Sequence, residues 1–575
     1  MRKLLHFMTI LLLLPLFAVA QNAVQGSETV YKVGNYRNPG DNSPKFEYRA
    51  VWLTTIENLD WPHTRVKTPA DVERQKRELT VILDSLQSMH INTVFLQTRV
   101  RGDVIYPSAI EPFSYLLTGI SGKNPGYDPL AFAVGECHKR GMQLHAWLVT
   151  LPLGKADHVR RLGKNALPNK KKSLCTYYKG SWYMEPGNPA TADYITALVK
   201  EVVQNYDVDG IHLDYVRYPD TVDGYPDRGL HHKYGRSLSL AAWRRANITR
   251  IASAVYSAVK ELKPWVRVSC APLGKYNNLT RYSSLGWDAY NTVFQDAQGW
   301  LRDGIMDALF PMLYFKGNNF YPFVRDWCEN RYGRHVAPGI GVYRLMPKYG
   351  GWPRVEIERQ MHTSRSAGAD GVIMFRTAHL LGNAGGARDV YTKVYDRPAL
   401  VPPMDWVAAA PQKPLLKGCV RDEGGVLLHW GAVAAHDAFP AVRYNVYAGV
   451  GDTVDVGNIE NMVSMLQADT LFKWQCRTDK DITIAVTAVD ACGVESEPAF
   501  LKLPLPGSME RGDLLLLPRQ QSWGQRIVVK DIYGCEVYSG NYCREFDVTA
   551  FAAGRYLLTV YSRHGELLYR TEFIR

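Results

Sequence analysis

Between residues 49 and 395 short apolar runs alternate with longer amphipathic ones, and this rhythm constrains the fold more than any other feature of the 575 residues. Apolar runs of about four to eight residues read as strands buried on both faces of a parallel sheet, and apolar residues at i, i+3, i+4 spacing as helices packed against it. The predicted strands are Arg49–Glu57, Asn92–Arg99, Gln143–Leu151, the stretch within Tyr206–Pro219, Val266–Leu273, Ala308–Phe315, Val336–Tyr343 and Gly371–Arg376. Helices are predicted between them. Thr68-Pro69 caps the first, with Leu79, Ile82, Leu83 and Leu86 on one face, and Pro at the first helical position costs no hydrogen bond. The others are Asp128–Arg140, the segment opened by Asn188-Pro189, Leu238–Leu262, Ala289–Arg302, Phe323–Tyr332, Arg354–Ala367 and Ala387–Tyr395. Eight β/α units in about 350 residues predict an α/β fold, a (β/α)8 TIM-type barrel over residues 46–398. Its long loops, 100–127, 152–187 and 216–236, follow strands two, three and four, where functional insertions accumulate.

The flanking segments have other characters. Residues 1–20 read as a signal peptide: Arg2 and Lys3, an apolar stretch Leu4 to Phe17, then Ala18-Val19-Ala20. That run is too short to span a bilayer well and no other 18-residue apolar segment exists, so an exported protein is expected, in the periplasm, at the cell surface or secreted, of a Gram-negative bacterium. Residues 21–45 read as a flexible leader and 399–415, rich in Pro and Ala, as a linker. Two small all-β sandwich domains are expected after it. In 416–505, Trp430, Tyr444, Tyr447 and Ala485–Asp490 resemble a fibronectin type III module. In 507–575, Ile527–Gly534, Phe546-Asp547-Val548 and Gly554–Val560 resemble a type IX secretion sorting domain, with a plain accessory sandwich as the alternative. Nine cysteines make no disulfide framework in a chain this long; the one bridge expected is Cys535–Cys543, about a turn at Ser539-Gly540. Net charge is +12, with Arg160, Arg161, Lys164 and Lys170 to Lys172 clustered in one loop. That cluster is either a solvated loop or an attractor for anionic glycan or envelope; nucleic acid is not expected.

Strand alternation locates a site. In strand four His212 and Asp214 share one face and Ile211 and Leu213 the other. The same parity groups Gln97 with Arg99, His145 with Trp147, Met312 with Tyr314, and Met374 with Arg376. Five strands then aim polar and aromatic side chains at the C-terminal mouth, where barrel enzymes keep their chemistry. A carboxylate among Ile and Leu is costly unless paired or wet, so Asp214 is functional or an ion-pair partner.

These motifs also resemble a family. Arg49–Thr55 with Asp60-Trp61-Pro62, Gln97-Thr98-Arg99 with Gly102-Asp103, Gly126–Leu130, His145-Ala146-Trp147, Asp209–Pro219, Gln295-Asp296 with Trp300-Leu301, and Pro311–Tyr314 are similar to the glycosyl hydrolase-like 10 family of bacterial envelope proteins. The resemblance, over about residues 45–400, implies a (β/α)8 barrel acting on glycans, some members being similar to glycosidases that cut peptidoglycan sugar strands stripped of peptide. Glycoside hydrolysis needs two carboxyl groups, one protonated and one ionised. Asp214 is the first choice, as nucleophile or stabiliser of the oxocarbenium-like transition state. Asp296 and Asp103 compete as its partner; Arg99 beside Asp103 would favour the ionised form, so Asp296 is preferred as the acid. Trp147, Trp182, Trp61 and Tyr314 are candidates to stack on sugars, and Arg99, His145, His212 and Arg376 to bind hydroxyls or charged substituents. No cofactor is implied. Two alternatives stand beside the glycosidase: a metal-dependent deacetylase or amidase with His145, His212 and Asp214 as ligands, and a non-catalytic glycan-binding barrel. Oligomeric state is left open.

Overall fold

The computed structural model describes residues 43–575 except 285–286, 423–424, 437–438, 476–479, 504–513 and 518–524. The signal-peptide reading and most of the leader lie outside the described residues. Strands β1 (Tyr48–Leu53), β2 (Thr93–Arg99), β3 (Gln143–Val149), β4 (Gly210–Asp214), β5 (Arg267–Cys270), β6 (Ala308–Leu309), β7 (His335–Val336), β8 (Gly339–Ile340) and β9 (Gly371–Met374) form one sheet, in the order β7-β6-β5-β4-β3-β2-β1-β9-β8, with every pairing parallel. Only Ala337-Pro338 separates the first and last strands of that order, so the sheet curls until its ends are two halves of one stretch of chain.

Burial on both faces explains the near-continuous apolar strands. On β1, Tyr48, Ala50 and Trp52 join Phe95, Trp147, Phe310 and Ile373 in one cluster, while Val51 and Leu53 join the helices' Leu79 and Leu83 in another. Helices α1 (Pro69–Gln87), α2 (Pro129–Lys139), α3 (Ala190–Asn205), α4 (Leu240–Leu262), α5 (Ala297–Arg302), α6 (Tyr321–Glu329), α7 (Arg354–Ser366) and α8 (Ala387–Val394) supply the outer layer. Thr68 and Asp71 form the capping box that starts α1, with Pro69 at its first turn. Several predicted elements are shorter: Ala289–Arg302 is helical only from Ala297, and strands six and seven shrink to two-residue pieces broken by Pro311 and Pro338.

Gly210 opens β4 where the strand crosses the His145 ring; a Cβ there would sit 2.5 Å from its Nδ1. Gly210→Ala is therefore expected to cost about 1–3 kcal/mol by overpacking, seen as a lower melting temperature in calorimetry; an unchanged one would mean that the ring can withdraw.

The remainder is all-β. Leu416–Asp422, Gly425–Trp430 and Leu471–Trp474 form one antiparallel sheet, and Met462–Gln467, Arg443–Val450, Ile482–Val489 and Ala499–Leu503 another, around Trp430, Tyr444, Val446 and Ile484. A further sheet joins Glu536–Asn541, Arg526–Asp531, Arg555–Tyr561 and Leu567–Ile574. Here the expected Cys535–Cys543 bridge fails, both thiols being free and exposed. Ser539-Gly540 lies inside a strand rather than at a turn, so the two cysteines flank one extended segment about 25 Å long, far beyond disulfide reach. The segment expected as a linker packs against the first unit. Leu400 bridges to Phe46, Arg267 donates to the Pro402 carbonyl at 2.6 Å, and Trp406 donates to Asp307 at 3.1 Å. These anchors lie at the N-terminal ends of β1, β5 and β6, and no residue of the β units lines the cleft at the opposite mouth of the sheet. No helix among the described residues is long and apolar enough to cross a membrane.

Candidate functional site

A cleft of about 920 Å³ opens over the C-terminal ends of the strands, lined by residues from β2, β3 and β4 and from the loops after β1, β2, β3, β4, β6, β8 and β9. Asp214, last residue of β4, is its one buried carboxyl among the described residues. Thr150, just past β3, fixes the Asp214 carbonyl with its N–H (2.8 Å) and Oγ1 (2.9 Å). Trp147 Nε1 donates to Asp214 Oδ2 at 3.1 Å, and the N–H of Tyr215 to Oδ1 at 2.8 Å, Tyr215 taking a left-handed φ of 52°. Burial pushes the carboxyl up to about 6, against the opposing pull of Arg217 and these two donors. Such a group keeps its proton up to about pH 6 and can deliver it to a leaving oxygen, which suits a general acid better than the nucleophile expected from sequence. Trp147→Phe removes a donor that favours the ionised form. The alkaline limb of a pH–rate profile is expected to move to higher pH; an unmoved limb would show that this bond does not set the proton.

Aromatic side chains form one wall. Tyr314 stacks on Phe375 (centroids 5.2 Å apart) and meets Tyr343 edge-on at 5.9 Å, and Tyr343 meets Tyr349 at 5.3 Å. Flat apolar faces of this kind match the C–H face of a pyranose ring. Trp182 enters from a hairpin inserted after β3, at 5.2 Å from Tyr177. Arg376 is on the lining, but its guanidinium is held by Asp60 and by the Leu59 carbonyl (2.9 Å); Asp60 also accepts from Thr54 and Ala378. Asp60 thus ties the loop after β1 to the loop after β9, a role the sequence reading did not assign.

The structure brings Asp214, Trp147, Trp182, Tyr314 and Arg376 to one cleft and withdraws the other candidates from it. Arg99 lies past a register shift in β2 and is buried in a bidentate pair with Glu111, 2.7 Å at each contact, so it has no free donor face for a sugar. His145 is fully buried deeper in the sheet, 4.6 Å from the Phe95 ring, and burial pushes it well below the ordinary histidine value. His212 accepts from Trp52 Nε1 at 3.1 Å and sits 2.9 Å from Ser269 Oγ, which itself donates to the Ile211 carbonyl; the ring is neutral, pushed down to about 3 by burial. Both ring nitrogens being used, it has no lone pair to give, and the His145, His212, Asp214 ligand set fails. Among the described residues no three His, Cys, Asp or Glu side chains are grouped to hold a metal. Asp296 is the N-cap of α5, accepting from Gly299 N–H (3.2 Å) and the Tyr276 hydroxyl (2.5 Å), and is absent from the cleft lining. Asp103 is 1% exposed and beneath the surface, raised by burial, with Oδ2 3.9 Å from His158 Nε2. Trp61 is core, donating to the Gln75 carbonyl. Three further acids line the cleft. Asp157 and Asp220 are in ion pairs with Arg160 and Arg217, and Glu57 is exposed.

Comparison with known proteins gives the chain a family. Glycosyl hydrolase YngK of Bacillus subtilis (strain 168) is 32% identical over 404 residues, which is 66% of this chain and 78% of that protein. Glycosyl hydrolase DigH of Escherichia coli (strain K12) is 34% identical over 299 residues, 48% of this chain and 66% of that protein, just under two thirds of its length. Among solved structures, alpha-L-fucosidase isoenzyme 2 from Paenibacillus thiaminolyticus overlaps with a TM-score of 0.41 at 16% identity, over 64% of this chain and 52% of that one, too distant a likeness to carry an argument. The glycosyl hydrolase-like 10 family matches residues 47–341, slightly more than half of the chain and every strand from β1 to β8, and the chain belongs to that family.

Proposed function

We propose that the protein is an exported glycosidase that cuts a complex glycan, peptidoglycan sugar strands first among the candidates, with Asp214 as its proton donor. The observation that carries this reading is the buried Asp214 carboxyl, raised to about 6 and facing an aromatic-walled cleft. The two curated relatives, each named as a glycosyl hydrolase, support it. The pairing of β7 with β6 and of β8 with β9 supports reading the curled sheet as a closed eight-stranded barrel, β7 and β8 counted as one interrupted strand. The β units after residue 416 are read as a fibronectin type III-like spacer or binding module and a C-terminal sorting or accessory module, and residues 1–20 as the export signal.

One observation favours a second reading, a non-catalytic glycan-binding barrel. Hydrolysis by two carboxylates needs an ionised partner, and the other acids on the lining are exposed or already in ion pairs. Incubation with peptide-free peptidoglycan strands, chitin-like oligosaccharides and plant glycans, followed by mass analysis of products, separates the two. Shortened chains are expected from at least one of these glycans. Binding without any shortened product would establish the second reading instead.

A further inference from the structure

The wall of the cleft facing the aromatic side chains is cationic, and three of its four charges pair with no acid among the described residues. Arg101 follows β2, Lys155 and Arg161 belong to the insertion after β3, and Arg217 follows β4. Arg101, Lys155 and Arg161 make no ion pair among the described residues. Arg161 lies over the Tyr115 ring at 4.2 Å, which holds the guanidinium in place without neutralising it. Arg217 is a different kind of signal. It is 5% exposed, one of its terminal nitrogens reaches Asp220 at 2.6 Å, and its Nε is buried with no hydrogen-bond partner. A buried donor left unsatisfied is costly, and this one belongs to a residue on the cleft lining. Asp220 offsets Arg217, but Asp157 engages Arg160, so no lining acid pairs with Arg101, Lys155 or Arg161 among the described residues.

Guanidinium groups recognise carboxylates with paired, directional N–H donors, whereas neutral sugar hydroxyls need no such concentration of charge. We propose that this wall is a carboxylate-binding subsite, so that the glycan accepted by the cleft carries carboxylates repeated along its strand, while its sugar faces lie against Tyr314, Tyr343 and Phe375. The proposal rests on the glycan-cleaving reading for its substrate, but the charge recognition is measurable without catalysis. The carboxylates could be lactyl ether groups on an amino-sugar strand or the C6 acids of a uronic-acid strand; both offer the same anion at a different reach.

The experiment is calorimetric titration of the full chain carrying Asp214→Asn with four probes. These are a peptide-free amino-sugar strand bearing lactyl carboxylates, a polyuronate, and each of the two after chemical reduction of its carboxyls. At low ionic strength at least one acidic strand is expected to bind about tenfold more tightly than its reduced form, with the gap closing as salt is added. Which acidic strand shows the gap identifies the source of the carboxylate. In Arg101→Gln/Arg161→Gln protein, both positions lying at the surface of the cleft, that ratio is expected to fall to roughly two or less. Equal affinity for acidic and reduced strands overturns the proposal, as does a ratio unchanged by the double substitution or a failure of every probe to bind. Turnover by the unsubstituted protein is scored separately. Preferential binding with no cleavage would remove the glycosidase reading and keep the subsite, and cleavage without preference would do the reverse.

Discussion

Asp214→Asn is expected to lose about 10²–10⁴-fold in turnover while gaining stability at neutral pH, a combination that a merely structural aspartate would not produce. The rate loss follows from removing the one buried carboxyl on the cleft lining among the described residues. The stability gain follows from linkage. The carboxyl is raised from 3.8 to about 6 in the folded chain, chiefly by burial, so between those values the folded state binds the proton and the unfolded state has released it. Stability is therefore full below about pH 4 and is lost as pH rises through 6, where ionising the buried group costs about 3 kcal/mol. An asparagine never ionises. It can accept from only one of the two N–H donors at Trp147 and Tyr215, whereas the neutral carboxyl keeps a weaker second acceptor in its hydroxyl oxygen, so the variant should lie slightly below the parent at pH 4. Calorimetry at pH 4 and pH 7.5 decides. The melting temperature of the variant should exceed the parent's only at the higher pH. A variant that is less stable at both, or that retains glycan cleavage within tenfold, removes Asp214 as the buried proton donor.

The layering of this fold was legible because its strands are buried on both faces, which leaves the β/α rhythm in plain view. Parity was legible on β3 and β4, where it correctly put Trp147 beside Asp214. It misled wherever the backbone leaves ideal geometry. The register shift between Gln97 and Arg99 turns Arg99 away from the face that Gln97 shares with the cleft. On β9 the inward residue is Ile373, with Phe375 just past the strand on the same cluster, and Met374 packs outward; Arg376 reaches the cleft because it lies beyond the strand's end. Alternation gives a face but not a depth, so His145 and His212 shared a parity with Trp147 and Asp214 yet lie one layer lower, among Phe95 and Phe310. Asp296 carried its own signal, an Asp three residues before Gly at a helix start, which is the pattern of an N-cap rather than of an acid in a cleft. Tyr343 and Tyr349 had no periodic signature, since they sit in consecutive 3₁₀ turns.

Arg99→Ala is expected to destabilise the protein by about 3–5 kcal/mol while leaving KM for the glycan within roughly twofold, a split opposite to that of a substrate-binding arginine. Arg99 and Glu111 are 1% and 4% exposed, and truncating the arginine would strand the Glu111 carboxylate with only the Tyr194 hydroxyl, at 3.1 Å, to donate to it. The guanidinium also donates to the carbonyls of Val149 and Thr150, the second at 2.7 Å. It thereby pins the chain just past β3, where Thr150 in turn holds the backbone of Asp214. Some loss of kcat is therefore expected alongside the loss of stability, through the position of the acid rather than through contact with the sugar. Replacing both partners, Arg99→Met with Glu111→Leu, is expected to recover most of the stability, because no charge is then buried without its counterion. Chemical denaturation of the parent, the single variant and the double variant measures the first effect, and initial rates well below the melting transition measure the second. A single variant of unchanged stability with KM raised tenfold would return Arg99 to the substrate.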